Sequence, residues 1–180
     1  TLDSLQPENY DHIILLSYGE TMDLQESDAI TLICLLHLRA MSEKANKDFS
    51  IVSEMLDIRN RELGVVAKAD DFIVGDNLIS LMLSQLSENK DLKKVYDILF
   101  EADGSEIYLK PVSRYVKPDE DMDFYTVLES AAQLNETAIG YRISAESDNT
   151  EEHFGVKLNP KKSQKVNFSA DDYIIVLSED

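Results

Sequence analysis

Residues 49–74 read FSIVSEMLDIRNRELGVVAKADDFIV, and the fold turns on how this stretch is read. Its first seven residues are mostly β-branched or apolar, as expected of a strand buried on both faces. Asp57 is placed to cap the next element. Residues 58–67 carry apolar side chains at Ile58, Leu63, Val65, Val66 and Ala67, with a polar flank of Arg59, Asn60, Arg61 and Glu62, which predicts a helix. Phe72-Ile73-Val74 is then a short second strand. Two strands joined by one short helix are most simply parallel, with a right-handed crossover. The expectation is the C-terminal half of a Rossmann-like, doubly wound parallel sheet in an α/β protein.

Upstream, DHIILLSY at 11–18 is a nearly continuous apolar run, the mark of a central parallel strand. Gly19 opens the loop at its carboxyl end, where open α/β sheets place ligands. Ser27 or Asp28 can cap a helix over 27–43, whose apolar residues cover more than half its circumference. Cys34 and His37 on that helix lie at i and i+3; a buried thiol and a partly exposed histidine explain them better than a metal pair, because no further ligand completes a site. Downstream, Asp76 can cap a helix over 77–88, and residues 92–100 form a second. Both are apolar over so much surface that they predict a hinge and interface.

Composition shifts at the turn Ala102-Asp103-Gly104-Ser105. A half-exposed strand comes next over 106–112, then a solvated loop containing DEDMD, an Asp123-capped helix over 124–134, and strands over 137–143, 154–158 and 173–177. That order suggests a small α+β lobe. The expected organisation is 1–75 as the Rossmann-like subdomain, 76–101 as a crossing helical pair, and 102–180 as the lobe.

The chain has 180 residues and a formal net charge of −18, which argues against nucleic-acid binding and suits attraction of cations. Its single cysteine rules out an intrachain disulfide and fits a reducing compartment. No apolar run approaches the roughly 20 residues that span a bilayer, so direct membrane insertion by these residues is not expected. The chain begins TLDSLQPENY, without methionine or an apolar leader, and we expect a piece of a longer protein.

Two features carry a family resemblance: DHIILLSYGETMDLQESDAITLICLLHLR, and FSIVSEMLDIRNRELGVVAKADDFIVGDNLISLMLSQLSENK with GSEIYLKP after it. Together they resemble the cytosolic region of the Castor/Pollux family of ion channels. More distantly the layout resembles regulator-of-potassium-conductance (RCK) domains, with a TrkA-C-like lobe at the end. The lobe matches in pattern: where such lobes often carry Gly-Asp before the last strand, this chain has Asp171-Asp172-Tyr173-Ile174-Ile175-Val176. The resemblance implies no enzyme. It implies a regulatory, ligand-sensing domain on the cytoplasmic side of a membrane, which forms a homo-oligomeric ring through the helices at 77–100 and acts on a transmembrane pore segment of the same protein. Potassium or calcium-linked conduction would be the controlled process. A fragment of an NAD-dependent Rossmann oxidoreductase, or a plain interaction scaffold, is the alternative, because one sheet serves many roles.

No G-x-G-x-x-G occurs, so a pyrophosphate loop would have to lie upstream. Tyr18, Gly19, Glu20 and Glu54, at the carboxyl ends of the strands, are the candidates for the edge of NAD or another nucleotide; ordinary solvated loops are the competing reading. Asp70, Asp71, Glu101 and Asp103 are the calcium candidates, and the resemblance places an acidic ligand at Asp70. With 35 acidic residues, such clusters also arise by chance. The interface candidates are Leu78, Met82, Leu83, Leu86 and Val95. The three histidines have no nucleophile arranged with them, and no catalytic residue is expected.

Overall fold

The computed structural model describes residues 2–19, 22–60, 71–101, 103–147 and 149–179. Two compact units divide between Lys90 and Asp91.

The first unit is built on three parallel strands, β1 (His12–Leu15), β2 (Ser50–Met55) and β3 (Asp71–Val74), in the order β1-β2-β3. Ile13 pairs with Ile51, and Glu54 with Ile73. The parallel order expected from residues 49–74 is therefore present. Helix α1 (Leu24–Ala45) returns the chain from β1 to β2 and packs Leu35 and Leu38 on Phe49 and Ile51. Four details differ from the expectation. Strand β1 stops at Leu15 rather than residue 18. The cap of α1 is Asp23, which accepts from the N–H groups of Gln25 and Glu26, so Ser27 and Asp28 fall inside the helix. In β2, Ile51, Ser53 and Met55 are buried while the alternate residues are half-exposed, because α1 covers one face of the strand. Helix α2 (Gly75–Glu88) starts one residue before Asp76, and Val74 supplies no side-chain cap. Of the helix expected over 58–67, Ile58–Asn60 form a 3-10 turn, and 61–70 lie outside the described residues.

The second unit opens with α3 (Leu92–Leu99) and continues into a four-stranded antiparallel sheet. Its order is β4 (Glu106–Pro111), β9 (Tyr173–Ser178), β6 (Thr137–Arg142) and β7 (Val156–Leu158). Helix α4 (Phe124–Gln133) is capped by Asp123 as expected and buries Phe124, Val127 and Ala131 in a core with Tyr141, Phe168, Ile174 and Val176. Gly140 comes just after a register shift in β6, where a Cβ would lie 2.4 Å from the Lys157 carbonyl oxygen of β7. The DEDMD stretch is not wholly a loop: β5 (Asp121–Asp123) pairs antiparallel with β8 (Lys165–Asn167). Three-residue strands carry too little alternation to be read from sequence; their pairing makes them.

Asp172, 2% exposed, accepts from the N–H groups of Ser144 and Ser169 and ties the turn after β6 to the turn before β9. Asp171 is absent from the positive-φ residues, so the turn does not need the glycine that the family pattern places there.

Candidate functional site

At the carboxyl end of the parallel sheet, two loops are held by side chains from α1 and β2. Residues 16–19 leave β1, and the Ser27 hydroxyl, fully buried on α1, accepts from the Tyr18 N–H at 2.9 Å. Glu54 Oε2 accepts from both the N–H and the hydroxyl of Ser17, at 3.0 and 2.8 Å. Residues 56–60 leave β2. There Asp28, 1% exposed, accepts from the Leu56 N–H at 2.8 Å, the Asp57 N–H at 3.0 Å and the Asn60 side-chain amide at 2.6 Å. A buried charge is tolerable when hydrogen bonds of this kind replace its water.

Asp57 forms the next layer. It accepts from the N–H and guanidinium of Arg59 and from the Gln25 side-chain amide at 2.8 Å. The Arg59 hydrogen bonds hold its carboxyl down at about 2, against the ordinary 3.8. Gly19 lies beside this layer, where a Cβ would stand 2.8 Å from Leu56 Cδ1. The arrangement is a preset platform: the polar groups that shape both loops are already paired.

Of the nucleotide candidates, the structure brings Tyr18, Gly19 and Glu54 to this end of the sheet. Tyr18 is 57% exposed. The Glu54 bonds to Ser17 both run through one carboxylate oxygen, Oε2. Glu20 lies outside the described residues. Of the calcium candidates, Asp70 lies outside them as well; Asp71 begins β3 opposite Val52, and its side chain is not described. Glu101 and Asp103 are exposed bends beyond α3. Among the described residues no three acidic, histidine or cysteine side chains are grouped to hold a metal. Cys34 is half-buried and His37 exposed.

The interface candidates stand on helices with no buried residue. Leu78 is 45% exposed and Leu83 60%, Met82 and Leu86 are half-buried, and Val95 on α3 is 55% exposed. Among the described residues no helix is long and apolar enough to cross a membrane.

Sequence reasoning missed Ser27 and Asp28 as loop anchors. The signal was there: Asp28, Thr31, Leu35, Leu38 and Ser42 share one buried stripe of α1, and a carboxylate on such a stripe needs partners.

No protein-family model matches the chain. It is 26% identical over 207 aligned positions to "Probable ion channel CASTOR" of Oryza sativa subsp. japonica, covering 99% of this chain and 22% of that protein. It is 32% identical over 142 positions to "Ion channel DMI1" of Medicago truncatula, covering 78% of this chain and 15% of that protein. The chain is homologous to a segment of the Castor/Pollux-type ion channels. It spans about a fifth of the rice relatives' length. These relatives are named as ion channels and not as oxidoreductases. Among solved structures, "Crystal Structure of the GsuK RCK domain" covers 99% of this chain and 32% of its own at TM-score 0.41 and 12% identity. "GsuK channel bound to NAD" covers 99% of this chain and 27% of its own, also at TM-score 0.41 and 12% identity.

Proposed function

We propose that the chain is a cytosolic regulatory domain of a cation channel, a ligand-sensing and ring-forming module. In this reading it is joined to a transmembrane pore segment of the same protein and controls potassium or calcium-linked conduction. The observation that supports it is an alignment, 26% identical and covering 99% of the chain, with a minor part of proteins named as ion channels. Helix α2 of the first unit and helix α3 of the second, neither with a buried residue, each carry exposed apolar side chains such a module would use to assemble. In this partition residues 1–75 form the Rossmann-like subdomain, 76–101 the helical pair that couples subunits, and 102–180 the lobe.

Two ligands belong to the proposal. A nucleotide such as NAD would lie along Tyr18, Gly19 and Glu54, since ligands of open α/β sheets sit outside the strands' carboxyl ends. Calcium would use Asp70 and Asp71, with Glu101 and Asp103 as further acidic groups. Calorimetry on the chain separates the calcium site from diffuse attraction by an acidic surface. Asp70→Asn should weaken binding several-fold and Asp121→Asn should not; equal effects would count against a site.

The functional test is the full-length protein in a planar bilayer. Conductance should respond to calcium or NAD on the side carrying this domain, and Leu83→Glu should abolish the response. Conduction that ignores both the ligand and the substitution would remove the regulatory reading.

A further inference from the structure

The second unit holds a cleft of about 510 Å³ between the end of α4 and the start of β4, large enough for a small metabolite. Its floor is a buried ion cluster. The Glu136 side chain, 3% exposed, receives Lys110 Nζ at 3.0 Å and Arg114 at 2.9 Å on one oxygen, and the Tyr115 hydroxyl on the other. Lys110 also donates to the Ser178 hydroxyl at 3.0 Å. Burial pushes the Glu136 carboxyl up, but the hydrogen bonds from Tyr115 and Lys110 outweigh it and hold the group below its ordinary value, so Glu136 is an anion at neutral pH. Lys110 and Glu136 therefore neutralise each other within the floor.

The rim differs from the floor. Arg114 is half-exposed and spends one of its five N–H donors on Glu136, which orients the guanidinium and leaves its other donors for a ligand. Glu179 lines the same cleft, is exposed and makes no salt bridge with Arg114. The chain leaves α4 here through Asn135, with φ 60, and the Asn135 and Glu136 N–H groups already cap the helix on the carbonyls of Ala132 and Ala131. One oriented guanidinium and one carboxylate that it does not pair with thus line the same cleft. Ser105, Asn135 and Thr137 supply the remaining polar lining.

We propose that this cleft binds a small zwitterion of the α-amino-acid class, its carboxylate on Arg114 and its ammonium toward Glu179. Charge balance selects that class. A plain anion would meet Glu179 within a chain of net charge −18, and a plain cation would meet Arg114. A guanidinium suits a carboxylate because two parallel N–H groups match its two oxygens. This inference stands on the cleft alone: binding is read on the 180-residue chain without a pore, so it can fail or succeed independently of the channel reading.

The test is calorimetry on the whole chain with glycine, L-glutamine and L-lysine, and with succinate, 1,4-diaminobutane and inorganic phosphate, each up to about 10 mM. At least one amino acid should bind, and the three single-sign probes should not. Arg114→Gln should weaken amino-acid binding about tenfold or more, and Glu179→Gln by a smaller factor. Arg114→Lys, which keeps the charge but loses the fork, should recover only part of it. Unfolding midpoints of all variants, taken in parallel, identify any loss due to a disturbed fold; Glu179→Gln, at an exposed position, keeps the test alive if Arg114→Gln unfolds. No binding by any of the three amino acids, equal binding by succinate or diaminobutane, or indifference to both substitutions in folded protein would overturn the proposal.

Discussion

The two sheets of this molecule are covered to different degrees. In the second unit, α4 and the residues around it enclose a core that runs from Val112 to Val176 and includes the edge-on contact of Tyr141 and Phe168, with ring centroids 5.2 Å apart. In the first, α1 covers one side of β2, while on β1 Ile14 stays 71% exposed and the adjoining Leu16 72%. Parallel sheets ordinarily have both faces covered. An apolar run of this kind carries more greasy surface than its own unit hides. The antiparallel lobe also leaves apolar side chains open, with Ile107 and Leu109 on β4 each 47% exposed and Leu158 on β7 62%, but it encloses a larger core of its own than the parallel unit, whose core is Leu35, Leu38, Phe49 and Ile51.

Large-to-small substitutions should break the comparison open first. Phe168→Ala in the lobe core should cost about 3–5 kcal/mol, whereas Ile14→Ser on β1 should stay within about 0.5 kcal/mol. Urea unfolding of each variant checks both, and equal costs would erase the contrast. Next in size is Asp28→Ala. It strips the Leu56 and Asp57 N–H groups and the Asn60 amide of their common acceptor, at a cost of about 3 kcal/mol. Hydrogen exchange at Leu56 and Asp57 should accelerate while the lobe amides are unchanged.

The smallest effect is a pH dependence confined to the first unit's platform. The folded Asp57 carboxyl lies at about 2, below the ordinary 3.8. Its contribution is therefore present above the unfolded value and is lost as pH falls through about 2. Asp57→Asn should flatten the stability profile between those limits, as read by acid titration of the unfolding midpoint. An unchanged slope would show that the Arg59 contact does not persist in solution.

How much of this was legible in the sequence depends on the range of each interaction. The parallel order of β1, β2 and β3 was legible because long apolar runs and a short crossover allow few arrangements. The cap of α1 was misplaced because Asp23, Ser27 and Asp28 all suit a helix start; the structure uses the first and turns the other two inward to hold the loops. Strands β5 and β8 and the Lys110–Glu136 contact depend on residues far apart in the chain, and local pattern does not reveal such pairings. Tyr18, Gly19 and Glu54 were chosen as candidates for a topological reason, that strand carboxyl ends gather at one edge. The bonds that fix Glu54 there could be known only from the fold.

The sharpest single check is light scattering after gel filtration of the 180-residue chain at about tens of micromolar, a range in which burial of several leucines at about 1.5–3 kcal/mol each should hold two copies together. The exposed apolar face of α2, where Leu83 is 60% exposed, predicts a dimer for the wild type and a monomer for Leu83→Glu. A wild-type chain that elutes and scatters as a monomer would contradict the assembly on which the regulatory reading depends.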